Sequence, residues 1–534
     1  MNHALRALPR IRLWNPLAWN QVRVRGSSLV SVACTVSALL LSGCVSLPEP
    51  VERTPSSAFD RPDETSLGRF LSAEAAKHPG KSGFVPVRNS RNAFMARVGL
   101  ADLAERGLDV QYYIWEADTT GRILALKLID AADRGVRVRA LIDDSNFKAE
   151  FGIGALDAHP NIEVRVFNPF GSRGGQAWGY LTDFGRLNHR MHNKVMIADG
   201  AIAVVGGRNI GDHYFGVNAE ANFRDLDIAA AGPIVADIAS SFDMYWNSEW
   251  AYPIAGIAER NYSMEDLAQF RTQLEAAVAE APYPYPIDAE VARLRDELGA
   301  IMERFVWAQG EVVADDPGTL TAGDGGVVKT ALQQRLGQAQ EEVLIESAYF
   351  VPIGKAPEHA GKLVDRGVRM RVLTNSLASN DVAAAHAGYE EVREELLDKG
   401  LELYELRPDA GKVRSEWQVV SGRSIAALHT KALVIDRQST FIGSFNLDPR
   451  SANLNTEVGL LVESPELAAR VAAYMDEGVL PENSYRVTRD DNGDLVWTTI
   501  IDGQEATFDK EPETSGWKRF VADFIKILPV EKQL

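Results

Sequence analysis

A segment that occurs twice constrains this fold more than any other feature. Asp133-Arg-Gly-Val-Arg-Val-Arg-Ala-Leu141 returns far downstream as Asp365-Arg-Gly-Val-Arg-Met-Arg-Val-Leu373. Each copy reads as a helix ending at a glycine, then a strand with alternating apolar residues: Val136, Val138 and Ala140, or Val368, Met370 and Val372. Upstream lie Leu108 to Trp115 and Val343 to Val351, short runs rich in β-branched and aromatic residues that read as strands. Strand, helix, strand, twice over, predicts an α/β chain of two duplicated lobes, each a mixed β-sheet flanked by helices.

The remaining segments are placed around these halves. Arg6, Arg10, Arg12, Arg23 and Arg25 precede an apolar run from Ser28 to Gly43, the charge layout of a secretory signal. The run ends in Leu41-Ser-Gly-Cys44, which resembles the lipobox of bacterial lipoproteins; an uncleaved anchor is the alternative. The expected division is a signal peptide (1–43), a tether after a lipidated Cys44 (44–84), a first lobe (85–255), a helical connector (256–315), a second lobe (316–485) and a C-terminal extension (486–534). Pro48, Pro50, Pro55 and Pro62 suit the tether. In the extension, Trp517, Phe520, Val521, Phe524, Ile527 and Leu528 share one helical face, suited to a membrane surface or to closing the core. Cys34 is the one other cysteine, so cleavage would leave no internal disulfide and no cysteine-based zinc site. The net charge of −18 disfavours nucleic acid as a partner.

Both halves also carry His-x-Lys-x4-Asp: His192, Lys194 and Asp199, then His429, Lys431 and Asp436. In extended chain, residues two apart share a face, so each imidazole and ammonium project together. Beyond each Asp come Gly207 with Asn209, and Ser444 with Asn446, small residues and amides suited to an anion. Aligning Pro233 with Pro465 pairs Asp225 with Glu457, candidates to orient the imidazoles or to line the substrate site. Asp199 and Asp436 complete the catalytic motifs, at turn positions that suit organising the motif rather than reacting.

The duplicated pattern resembles the phospholipase D superfamily. The longer strings His192 to Phe215 and Phe441 to Glu457 resemble, more narrowly, bacterial cardiolipin synthases of the C type. The resemblance implies one site shared by both motifs, no metal and no cofactor. It implies His192 as nucleophile, forming a phosphohistidine, and His429 as acid and base; Lys194, Lys431, Asn209 and Asn446 would hold the phosphate oxygens. It further implies phosphatidyl transfer to phosphatidylglycerol, making cardiolipin, with phosphatidylglycerol or phosphatidylethanolamine as donor. Phospholipase D hydrolysis to phosphatidic acid is the alternative. The expected location is the bacterial envelope, lipid-anchored and facing the periplasm.

Overall fold

The strand–helix–strand units read from the repeat form the middle of two sheets. A computed structural model describes residues 52–146, 150–171, 183–281, 283–319, 326–410 and 424–514. These all belong to one compact unit, Leu47–Leu534. The first lobe holds β1 (Ser82–Val87), β2 (Gly107–Tyr112), β3 (Arg137–Asp143), β4 (Ile162–Phe167), β5 (Val195–Ala198), β6 (Ile202–Gly206), β7 (Ala221–Arg224), β8 (Asp227–Ala231) and β9 (Ala251–Pro253). The rest of the chain adds β10 (Val306–Ala314), β11 (Glu342–Ser347), β12 (Arg369–Asn375), β13 (Glu402–Leu406), β14 (Ile425–Leu428), β15 (Lys431–Ile435), β16 (Ser439–Gly443), β17 (Val458–Glu463), β18 (Ser484–Arg489), β19 (Leu495–Ile501) and β20 (Gln504–Phe508).

The first sheet is ordered β1-β8-β6-β5-β2-β3-β4-β9. The second repeats that order as β10-β17-β16-β15-β11-β12-β13-β18. The duplicated α/β architecture expected from the repeat is therefore present, parallel in the middle of each sheet and antiparallel at its flanks. Edge strands β1 and β10 pair with each other, Ser82 opposite Ala308, which joins the sheets.

Alternation in the strands divides their residues between layers. In β3, Val138, Ala140 and Ile142 pack with the flanking helices. The intervening Arg139 is buried and bonds Asp109 at 2.6 Å and Asp243 at 2.7 Å. One apolar cluster spans both lobes, with Ile197, Val205 and Ile228 from one sheet and Leu344, Val434 and Leu460 from the other. Helices Ile234–Trp246 and Pro465–Gly478 fill it, and Trp246 is fully buried there.

Three expected segments differ from what the structure holds. From Thr54 onward the tether is laid against the first lobe rather than hanging free. The carbonyls of Thr54 and Ser56 accept from Arg165 and Arg139 at 2.7 and 2.9 Å, and Thr65 caps a helix, Ser66–Ala75. Buried guanidiniums need acceptors, and this proline-bearing segment supplies them. The connector is helical over Met264–Glu280, Ile287–Asp296 and Leu298–Met302, but its last part is β10, paired on both sides. The extension continues the second sheet through β18, β19 and β20. The proposed signal, Cys44 and the apolar face from Trp517 to Leu528 lie outside the described residues. Among the described residues no helix is long and apolar enough to cross a membrane.

Candidate active site

Each His-x-Lys segment sits where one lobe is stitched to the other. His192 lies three residues before the start of β5, and its N–H donates to the carbonyl of Thr456 in the second lobe at 2.9 Å. His429 lies between β14 and β15, and its N–H donates to the carbonyl of Arg224 in the first lobe at 2.7 Å. Strand β14 runs parallel to β7, with Leu428 opposite Arg224. Extended backbone sends the middle residue of each triplet the other way: Asn193 and Thr430 are fully buried, and the Thr430 hydroxyl reaches Arg224 O and the Tyr474 hydroxyl.

The imidazoles take their carboxylates from the opposite lobe. His192 Nδ1 lies 2.9 Å from Glu457 Oε2 and 3.1 Å from the carbonyl of Ser444. A carbonyl only accepts, so Nδ1 carries the proton and Nε2 is left with its lone pair in the neutral ring. His429 Nδ1 lies 2.6 Å from Asp225 Oδ2. Both expected acids thus bind imidazole, and they do so crosswise. Lys194 and Lys431 each donate back to the carbonyl of the histidine two residues earlier, at 2.5 and 2.6 Å.

Burial and charge crowding define the electrostatics. Burial, then Lys194 and Lys431, hold His192 well below the usual imidazole range. Burial and Lys431 lower His429 to about 4, against the pull of Asp225. Both lysines are lowered, chiefly by burial. Burial opposes ionisation of Asp225, yet His429 and Lys431 outweigh it and its pKa falls. Burial raises Glu457 to about 8, opposed by Lys194 and Ser444. Cations that depress one another in a buried pocket are stabilised by an anion placed among them, and a phosphodiester is such an anion.

The other expected residues separate into two groups. Asn209 and Asn446 are buried beyond the ends of β6 and β16; Asn209 receives Ile114 N–H at 3.1 Å and donates to the Tyr214 hydroxyl at 2.9 Å. Gly207 and Ser444 lie against the carboxylates: a Cβ at Gly207 would stand 2.2 Å from Asp225 Oδ1, and the Ser444 hydroxyl donates to Glu457. Asp199 and Asp436 are at the far ends of β5 and β15. Asp199 accepts from the N–H groups of Glu105, Arg106 and Gly107, and Asp436 from those of Gln340, Glu341 and Glu342. They fasten strand starts and are not among the reacting groups.

Several site residues were not anticipated. The Tyr113 ring stands edge-on to His192 with centroids 5.0 Å apart, and Lys194 Nζ lies 5.3 Å from that ring. Tyr214 and Phe223 each lie 5.1 Å from the His429 ring. The signal available for Tyr113 was its place just beyond β2, where strands of an α/β sheet present their ends to ligands. Elsewhere, His386, Glu390 and Glu511 bring donor atoms within 4.8 Å of one another. Arg393 pairs with Glu511 there at 2.9 Å, supplying the positive charge a cation would bring.

The family model described as "Cardiolipin synthase, PLD-like domain" matches residues 100–246 and 332–478. The chain is 41% identical over 466 residues to cardiolipin synthase C of Escherichia coli strain K12, covering 85% of this chain and 97% of that protein. It is 26% identical over 381 residues to cardiolipin synthase A of Pseudomonas syringae pv. syringae, covering 70% and 63%. Among solved structures, phosphatidylserine synthase of Haemophilus influenzae Rd KW20 superposes with a TM-score of 0.55 at 13% identity, over 87% of this chain and 100% of that one. That likeness concerns the fold.

Proposed function

Since this chain belongs to the cardiolipin synthase family of phospholipase D-like proteins, we propose that it is a phosphatidyltransferase. It joins a phosphatidyl group to phosphatidylglycerol, with phosphatidylglycerol or phosphatidylethanolamine as donor. The observation that carries this reading is the crossed pair of imidazole–carboxylate contacts flanked by two buried lysines.

The reaction proceeds by two displacements. His192 Nε2 attacks phosphorus and forms a P–N bond while the bond from phosphorus to the headgroup oxygen breaks; His429 gives its proton to that oxygen. The hydroxyl of the acceptor phosphatidylglycerol then loses its proton to His429, its oxygen attacks phosphorus, and the P–N bond opens to restore His192. Lys194, Lys431, Asn209 and Asn446 hold the non-bridging oxygens. The asymmetry of the carboxylates supports this order of roles. Asp225 favours its ionised form and pulls His429 toward imidazolium against burial and Lys431, a pull that prevails once an anionic phosphate offsets the lysines, whereas Glu457 retains its proton more readily beside a neutral His192.

Purified full-length protein in mixed micelles with labelled phosphatidylglycerol is expected to accumulate cardiolipin and release glycerol. His192→Ala and His429→Ala are each expected to lose roughly 10³-fold or more of that activity. Phosphatidic acid as sole product would replace the transferase by a phospholipase D. We further propose that Cys44 is lipidated and holds the chain to the periplasmic side of an envelope membrane. Cys44→Ser is expected to shift it from the membrane to the soluble fraction, and unchanged partitioning would remove the anchor.

A further inference from the structure

We infer that a cavity in the first lobe, opening beside the His192 wall, takes one acyl chain of the phosphatidyl donor. The inference rests on the lipid-substrate reading and adds the place where the lipid's tail is held. The cavity encloses about 310 Å³ between the β3–β4 face, helices Thr119–Asp133 and Glu150–Asp157, and the connector helix Met264–Glu280. Leu128, Ala140, Ile142, Leu156, Phe270 and Leu274 make its interior apolar. Its polar lining residues are Glu116, Arg122 and Gln273; Gln273 and Ala117 are exposed, while Leu128, Ala140, Leu156 and Leu274 are buried. Polar mouth and apolar depth match a molecule with a charged end and a hydrocarbon tail.

Position ties the cavity to the chemistry. Tyr113 packs on His192, Ile114 donates to Asn209, and Trp115 and Glu116, next in the chain, line the cavity. Two residues of chain span at most about 7 Å, so a lipid with phosphorus at His192 has its glycerol near the Trp115 side of the cavity. Glu116 N–H is fixed to the Ile210 carbonyl at 2.9 Å, and the Trp115 indole N–H donates to the Gly121 carbonyl at 3.2 Å, so the wall between the two is rigidly bonded.

Small residues keep the space clear in this lobe. Ala125, Ala140 and Gly152 line it, and a Cβ at Gly152 would meet the Phe270 ring at 2.8 Å. In the second lobe the helix at the matching place in the sheet order, Ala383–Asp398, contributes Tyr389, which is 2% exposed and lies 6.5 Å from the Phe350 ring. Protein interiors rarely leave voids larger than a water molecule. The apolar space of the first lobe lies on the side of the proposed nucleophile, where the phosphatidyl group stays attached between the two displacements.

The test compares transfer from dioleoyl- and dihexanoyl-phosphatidylglycerol by full-length wild-type, Ala277→Trp at the cavity rim and Ala125→Phe inside it. Each variant is expected to lower the ratio of kcat/KM for the long-chain over the short-chain donor about tenfold. Binding of pyrene-labelled phosphatidylglycerol to His192→Ala, with and without Ala277→Trp, gives a readout free of turnover, and the rim substitution is expected to weaken it by a similar factor. An unchanged ratio in folded variants, or unchanged pyrene-lipid binding, would overturn the inference. If wild-type transfers from neither lipid, the transferase reading fails, while pyrene-lipid binding blocked by Ala277→Trp still supports the cavity.

Discussion

At the scale of single residues the two halves of the site differ where the repeat has diverged. Glu457 is paired with Ser444, whereas Asp225 occupies the space left by Gly207. A longer acid needs a hydroxyl beside it; a shorter one needs the hydroxyl's place empty. With Glu457 raised from 4.5 to about 8 by burial, the folded chain keeps a proton across that window which the unfolded chain releases. Its contribution to stability is present in full below about 4.5 and is lost as pH rises through about 8. Glu457→Gln removes that dependence, so its melting temperature relative to wild-type is expected to climb between pH 5 and pH 8.5, while transfer falls about 10²-fold as the two acceptor oxygens that serve His192 and Ser444 become one. Thermal scans at both pH values check the first part, and a flat difference would mean that Glu457 is ionised throughout. The sequence pointed to both acids through the spacing of Pro233 and Pro465. It was silent on which imidazole each serves, because a duplicated spacing reads alike for pairing within a half and between halves.

At the scale of elements, the aspartates of the two motifs act through backbone. Asp199, at φ 54°, and Asp436, at φ 52°, stand where β5 and β15 turn, and each collects three N–H groups from the start of a neighbouring strand. Hydrogen bonds to a charged acceptor are individually stronger than neutral ones. Asp199→Ala is expected to destabilise the protein by about 3 kcal/mol and to leave turnover at 25 °C within about threefold, measured by urea unfolding and the transfer assay. A loss of turnover with stability intact would return Asp199 to the chemistry. The central strands were legible because an apolar residue at every second position packs on the flanking helices, with charged residues between, although both faces are buried. Strand β10 was not, since Gln309, Gly310 and Glu311 interrupt its alternation where it is exposed. The β19–β20 hairpin turns at Asp502-Gly503, at φ 51° and 79°, the dipeptide that favours such turns.

At the scale of the whole molecule, two lobes read from one repeat share a single interior. Helices Ile234–Trp246 and Pro465–Gly478 complete a cluster to which both sheets contribute. Arg224 carries the same union in polar form, pairing with Glu346 at 2.8 Å and stacking 3.6 Å from the Tyr474 ring. The second lobe is thus as much a structural partner as a catalytic one, which a repeat by itself does not reveal. The crosswise carboxylates add a further consequence. The first half alone has His192 without Glu457 and Asp225 without His429, so the exchange of acids ties a complete site to the closure of both lobes.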